Sequence, residues 1–208
     1  MPETAQSALA NHAPAREKVV MSDPHFFGYG SLVNRATHTY SGCHTARLTG
    51  WKRMWRHTNL RPVAYLTAIP APGYEIDGLV ASVPQADWGA LDSREHGYDR
   101  VAVTDHVAHP LEYAPDIQVY AVNPKKHGQP AQDHPIWLSY LDVVVQGYLR
   151  EFGPAGLTDF FETTDGWDTL LINDRNAPRY PRHQVLTTGE RDLCDHWLAR
   201  LPAVVQQL

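Results

Sequence analysis

Cysteine is scarce. The 208 residues hold two, Cys43 and Cys194, in no metal-type spacing. A disulfide framework is therefore excluded as the basis of the fold. No apolar run reaches the ~18 residues that a membrane span needs. No block of Lys and Arg marks a nucleic-acid face, and the net charge of −5 is spread along the chain. The first twenty residues lack the basic-then-apolar layout of a signal peptide. Histidines number 12, but none falls in H-E-x-x-H. His106 and His109, in a strand-like stretch, would face opposite sides. No metal site and no cofactor are expected. The dinucleotide and P-loop glycine motifs are absent, and no G-x-S-x-G surrounds a serine. The cytoplasm is the default compartment, with free thiols, and neither nucleic acid nor membrane is expected as a partner.

Residues 1–22 are rich in Ala, Pro, Glu and Ser without periodicity and read as a loose tail. A single domain is expected over 23–208. Strand-like segments come first: "HFFGYG", 46–58, 63–70, 74–83, "YDRVAVTD" and 117–122. Helical periodicity follows. Trp137, Tyr140, Leu141, Val144 and Tyr148 form one stripe to about residue 151, and a second short helix covers 154–163. A capping box, Thr187 to Glu190, opens a last helix with Leu193, Trp197, Leu201 and Val204 on one face. Strands before helices predict an α+β fold: a small, mostly antiparallel β-barrel or strongly curved sheet flanked by helices, with a helical C-terminal part.

Two features carry chemistry. In "FFGYGSL", Gly28-Tyr29-Gly30-Ser31 is either a plain tight turn or a turn that presents bare backbone N–H groups to an anion. The second is Glu95. It shares a helical stripe with Trp88 and Leu91 at a helix end, so its carboxylate faces inward. Burial disfavours the charged form and raises the pKa toward that of a general base and acid near neutral pH. The alternative is a salt bridge to Arg94 or Arg100. Tyr98 and Arg100 then project from one strand face beside it.

Taken in order along the chain, these residues resemble the γ-glutamylcyclotransferase-like superfamily, which includes the ChaC-like and AIG2-like proteins. "FFGYGSL" resembles its substrate-cradling loop, at Tyr29, Gly30, Ser31 and Leu32. "LDSREHGYDRVAV" resembles the segment with its catalytic glutamate, at Glu95, with Tyr98 following. "VYAV" resembles the next strand, whose tyrosine is Tyr120. "SYLDVVVQG" resembles its Tyr-x6-Gly helix start, at Tyr140 and Gly147. The similarity spans about 25–163. Leu32 stands where animal γ-glutamylcyclotransferases have Asn, as in the ChaC-like branch.

The resemblance implies cyclisation of a γ-glutamyl group to 5-oxoproline with release of an amine or amino acid, as in glutathione metabolism. It implies Glu95 as base then acid, and no protein nucleophile, metal or cofactor. The backbone N–H groups of Gly30 to Leu32 would hold the oxyanion, and Tyr98, Tyr120 and Tyr140 would line the pocket. Which γ-glutamyl compound is cyclised stays open among glutathione, dipeptides and amines. So does a non-catalytic binding or regulatory module on the same fold. The loop with Arg175, Arg179 and Arg182 either gates the pocket, meets an anionic group of the substrate, or is solvated.

Overall fold

The computed structural model describes residues 22–128, 130 and 132–208. All but the last residue of the expected tail lies outside them. The expected α+β class holds. A seven-stranded mixed sheet is curled into a half-barrel. Its strands are β1 (His25–Gly28), β2 (His44–Arg56), β3 (Tyr65–Ser82), β4 (Asp99–Ala102), β5 (Val107–Ala108), β6 (Ile117–Ala121) and β8 (Thr164–Asp165). Their order is β4-β6-β1-β3-β2-β5, with β8 beside β2. Pairings are antiparallel except β1 with β6 and β2 with β8. Three helices accompany them: α1 (Gly89–Arg94), α2 (Leu138–Glu162) and α3 (Thr188–Leu198). A second, parallel sheet joins β7 (Ile136–Trp137), β9 (Leu171–Asn173) and β10 (Val205–Gln207).

The strands expected over 63–70 and 74–83 are one long strand, β3. Pro70, Pro72 and Gly73 do not end it. They fall where the register against β2 slips: Trp51 pairs with Pro70, but Thr49 pairs with Glu75. The extra residues form a bulge, which tolerates proline because no ladder hydrogen bond is asked of it. The two expected helices over 137–163 are α2 in its two parts. Gly153, with φ +68°, breaks the helical path just before Pro154.

The last helix differs from its expected face. It begins with the capping box of Thr187 and Glu190 but ends at Leu198, short of Pro202. Its buried residues are Cys194 and Leu198, one turn apart, whereas Leu193 is exposed. Leu201 and Val204 lie beyond the helix, and Trp197 stacks on Phe161 with ring centroids 5.0 Å apart.

The main core joins the sheet to α2. Leu141, Val144 and Tyr148 of α2 pack in one cluster with Leu48, Leu66 and Val119. Within it lies Arg53, whose side chain is fully buried. Its guanidinium donates to the Tyr148 hydroxyl, to Thr163 and Thr164, and to the Asp77 carbonyl, and it pairs with Asp159 at 3.5 Å. A buried charge with this many partners is a fixed point of the interior.

Where α2 crosses the segment after β1, the two backbones nearly touch. A Cβ built on Gly147 would stand 2.8 Å from the Asn34 nitrogen. The Asn34 side chain donates to the Val143 carbonyl and to Gln146. Gly147→Ala gains up to about 1 kcal/mol of helix propensity and loses more to overpacking. The expected net loss is about 1–2 kcal/mol in denaturant unfolding. Stability equal to the parent would show that this crossing can slide apart freely.

Candidate active site

After β1 the chain passes through Tyr29 and Gly30 into a 3-10 turn, Ser31–Val33. The N–H groups at the start of such a turn have no partner inside it. The turn is fixed from several sides. Tyr148 donates to the Tyr29 carbonyl at 2.9 Å. The Tyr29 phenol turns inward and donates to the Tyr120 carbonyl at 2.6 Å. Thr37 donates to the Ser31 carbonyl, and His38 reaches the Leu32 carbonyl. Burial pushes the His38 imidazole down to about 4, so it is neutral and donates through this nitrogen. The Ser31 hydroxyl accepts from Arg94 at 3.0 Å and from the Tyr180 hydroxyl at 2.9 Å.

Glu95 caps the C-terminus of α1. Its side chain is 15% exposed, and Arg94 Nε stands 2.9 Å from its Oε1. Both expectations for this residue hold together: it is paired with Arg94, and burial still raises its pKa above the ordinary glutamate value, with Arg94 and Arg182 opposing. Arg100 is engaged elsewhere, paired with Asp92 and lying over the Trp88 ring.

Glu95 and the turn share a cavity in two adjoining compartments. The inner one, about 30 Å³, is lined by Gly28 to Leu32, Leu66, Glu95, Tyr98 and Tyr140. The outer one, about 140 Å³, shares Ser31, Glu95, Tyr98 and Tyr140 and opens past Arg61, His96 and Arg182. The Tyr140 hydroxyl reaches the turn so closely that a Cβ on Gly30 would lie 2.8 Å from it. The Tyr98 hydroxyl donates to the Leu66 carbonyl at 3.0 Å. Burial pushes both phenols well above the usual tyrosine range, so they remain neutral. Tyr120, by contrast, is absent from both linings. Its hydroxyl donates to Asp92 at 2.6 Å, and its ring packs with Phe26, Leu32 and Leu91 in a separate cluster.

Tyr180, Tyr65 and Arg61 join the lining without having been singled out by sequence. Tyr180 arrives on the 173–183 loop, which Asp174 anchors. The fully buried Asp174 carboxylate accepts from the Ser139 amide and hydroxyl, at the start of α2, and from the Arg179 amide. Such a carboxylate suits a helix N-terminus. The loop's three arginines separate. Arg175 forks onto Asp142 and also meets Asp195, the Arg179 side chain is absent from the cavity linings, and Arg182 stands at the mouth.

The family model described as "Gamma-glutamyl cyclotransferase, AIG2-like" matches residues 26–139. The chain belongs to this family. Its match runs from β1 to the start of α2 and includes the turn and Glu95. No curated protein matches the chain. Among solved structures, one named a gamma-glutamyl cyclotransferase aligns with a TM-score of 0.53 at 15% identity, over 84% of this chain and 99% of that one. An uncharacterized protein from Homo sapiens gives 0.52 at 16% identity, over 84% and 99%. YkqA from Bacillus subtilis gives 0.53 at 18%, over 67% of this chain and 53% of its own. At these identities the likeness is one of fold. Among the described residues, no group of three or more His, Cys, Asp or Glu is placed to hold a metal ion.

The position of Glu95 has a thermodynamic signature. A carboxylate whose folded pKa is raised is favoured when protonated, so its charge burdens the fold above that pKa. Glu95→Gln is expected to raise the thermal midpoint at pH 7, with a gain that shrinks as the pH falls toward 4. A lower midpoint at pH 7 would mean that the Arg94 pair outweighs desolvation.

Proposed function

We propose that this protein cyclises a γ-glutamyl group to 5-oxoproline and releases the attached amine, with Glu95 as general base and then general acid. The observation that carries the reading is geometric. Glu95 and the Tyr29–Leu32 turn line the same inner compartment, together with the neutral tyrosines Tyr98 and Tyr140.

The chemistry asks for little more. The substrate's own α-amine attacks its γ-carbonyl, so the nucleophile is already tethered. Orientation of this kind is worth about 7–11 kcal/mol. Unprotonated Glu95 takes a proton from the α-ammonium. The freed nitrogen bonds to the γ-carbon, and a tetrahedral oxyanion forms. The N–H groups at the start of the Ser31–Val33 turn hold that oxyanion; one such donor contributes about 2.7–4 kcal/mol of transition-state stabilisation. Glu95 returns that proton to the leaving nitrogen as the original amide bond breaks, and the second proton that the attacking nitrogen sheds passes to the released amine, which departs as an ammonium. Tyr140, against Gly30, and Tyr98 shape the compartment around the glutamyl group, whereas Tyr120 supports Asp92 and α1 from outside it.

Release of 5-oxoproline from glutathione, γ-glutamyl-alanine and γ-glutamyl-lysine tests the reading directly. Glu95→Gln is expected to lower kcat about 10²–10⁴-fold with the fold intact by circular dichroism. A variant as active as the parent removes Glu95 from the mechanism.

The pH profile gives an independent check. The base must be unprotonated, and burial raises its pKa. The kcat/KM is therefore expected to fall on the acid side through an apparent pKa above the ordinary glutamate value. This limb should vanish in Glu95→Gln. A parent profile that is flat down to the usual carboxylate range would contradict the assignment.

A further inference from the structure

The outer compartment carries more positive charge than its ion pair with Glu95 balances. Among the described residues, three arginines line it, Arg61, Arg94 and Arg182, with one carboxylate, Glu95. Arg94 is matched by Glu95. Among the described residues no ion pair involves Arg61 or Arg182. Two positive charges therefore remain at the mouth of a cavity in a chain whose net charge is −5.

A second observation marks the same place. Tyr65 is buried, at 8% exposure, and its hydroxyl has no hydrogen-bond partner among the described residues. It lines the outer compartment, where Arg61 opposes the effect of burial on its phenol. A buried hydroxyl left unpaired is costly unless a ligand completes it. Arg61 itself donates to a ring nitrogen of His96 at 2.6 Å, which steadies its guanidinium beside the opening.

We propose that the outer compartment recognises the leaving half of the substrate, and that this half is an acidic amino acid whose two carboxylates meet Arg61, Tyr65 and Arg182. The inference rests on the cyclotransferase reading above. Its warrant is charge matching. In a γ-glutamyl compound the glutamyl ammonium and α-carboxylate cancel, so the net charge is that of the leaving half. The cavity, after Arg94 and Glu95 cancel, offers two positive charges. An acidic amino acid supplies two negative ones. A neutral amino acid leaves one arginine unmatched, and an uncharged amine leaves both.

Three leaving groups of nearly equal shape separate these cases: γ-glutamyl-glutamate, γ-glutamyl-glutamine and γ-glutamyl-glutaminamide, whose leaving halves carry charges of about −2, −1 and 0 at neutral pH. Release of 5-oxoproline by the parent is measured for each, and each is titrated calorimetrically into Glu95→Gln, where the freed Arg94 adds the same extra charge for all three compounds. The expected result is about a tenfold fall at each step, in kcat/KM and in affinity, smaller at high salt because the arginines stand at the opening. Arg61→Gln and Arg182→Gln, both at exposed positions, should each flatten the series, and Tyr65→Phe should weaken binding of the diacid most. Equal values for all three compounds overturn the inference. So does a preference that stops at a single carboxylate. Graded binding without 5-oxoproline release keeps the acidic subsite and removes the cyclisation. Release without a graded preference does the reverse.

Discussion

Arg94 divides one guanidinium between two pieces of chain that the sequence keeps more than fifty residues apart. Its Nε faces Glu95, its neighbour, while its other nitrogens donate to the Thr37 carbonyl and hydroxyl and to the Ser31 hydroxyl. The glycine-rich turn after β1 and the end of α1 are thereby held at a set separation. The side chain is only 8% exposed, so these contacts form where water competes little and the cost of leaving one unmade is high. The inner compartment is the gap this clamp keeps open. Among the described residues, no other side chain bonds to both Glu95 and the turn.

The same arginine tempers the acid. Burial raises the Glu95 pKa, and Arg94 and Arg182 oppose the rise. A carboxyl group between these influences can lose and regain a proton in one cycle, as a group that serves both as base and as acid requires. The tyrosines contribute differently. Their raised values leave Tyr98 and Tyr140 as neutral hydroxyls that supply shape and hydrogen bonds but no charge.

Local pattern made the curved α+β fold, the turn after β1 and the inward glutamate legible in the sequence. Each depends on neighbours within a few residues: a helical stripe, a pair of glycines, a run of alternating apolar residues. Tyr120 shows the limit. Its place in a strand is evident, but which cluster its ring enters depends on α1, which sets Asp92 to receive its hydroxyl. Tyr65 is hidden in a strand-like run, and Arg61 in a loop. Tyr180 lies in a Pro-rich segment without periodicity, and it is carried to the cavity by the bonds of Asp174 to Ser139 and Arg179 and by its own bonds to Ser139 and Ser31. The misread face of α3 has a similar cause. A one-residue shift separates Leu193 from Cys194, and it is Cys194 that packs against Asp142.

The anchoring of the 173–183 loop by Asp174 has a wider meaning. Its fastening point is the first turn of α2, at the far boundary of the stretch the family model covers, and the loop itself lies outside that stretch. The floor and the roof of the cavity thus come from different lengths of polypeptide, joined at the start of α2 by the buried Asp174 carboxylate and across the cavity by the Tyr180 hydroxyl on Ser31. An arrangement of this kind is modular. New roofs can be fitted over an unaltered floor, so that one half of the cavity can change while the other is kept.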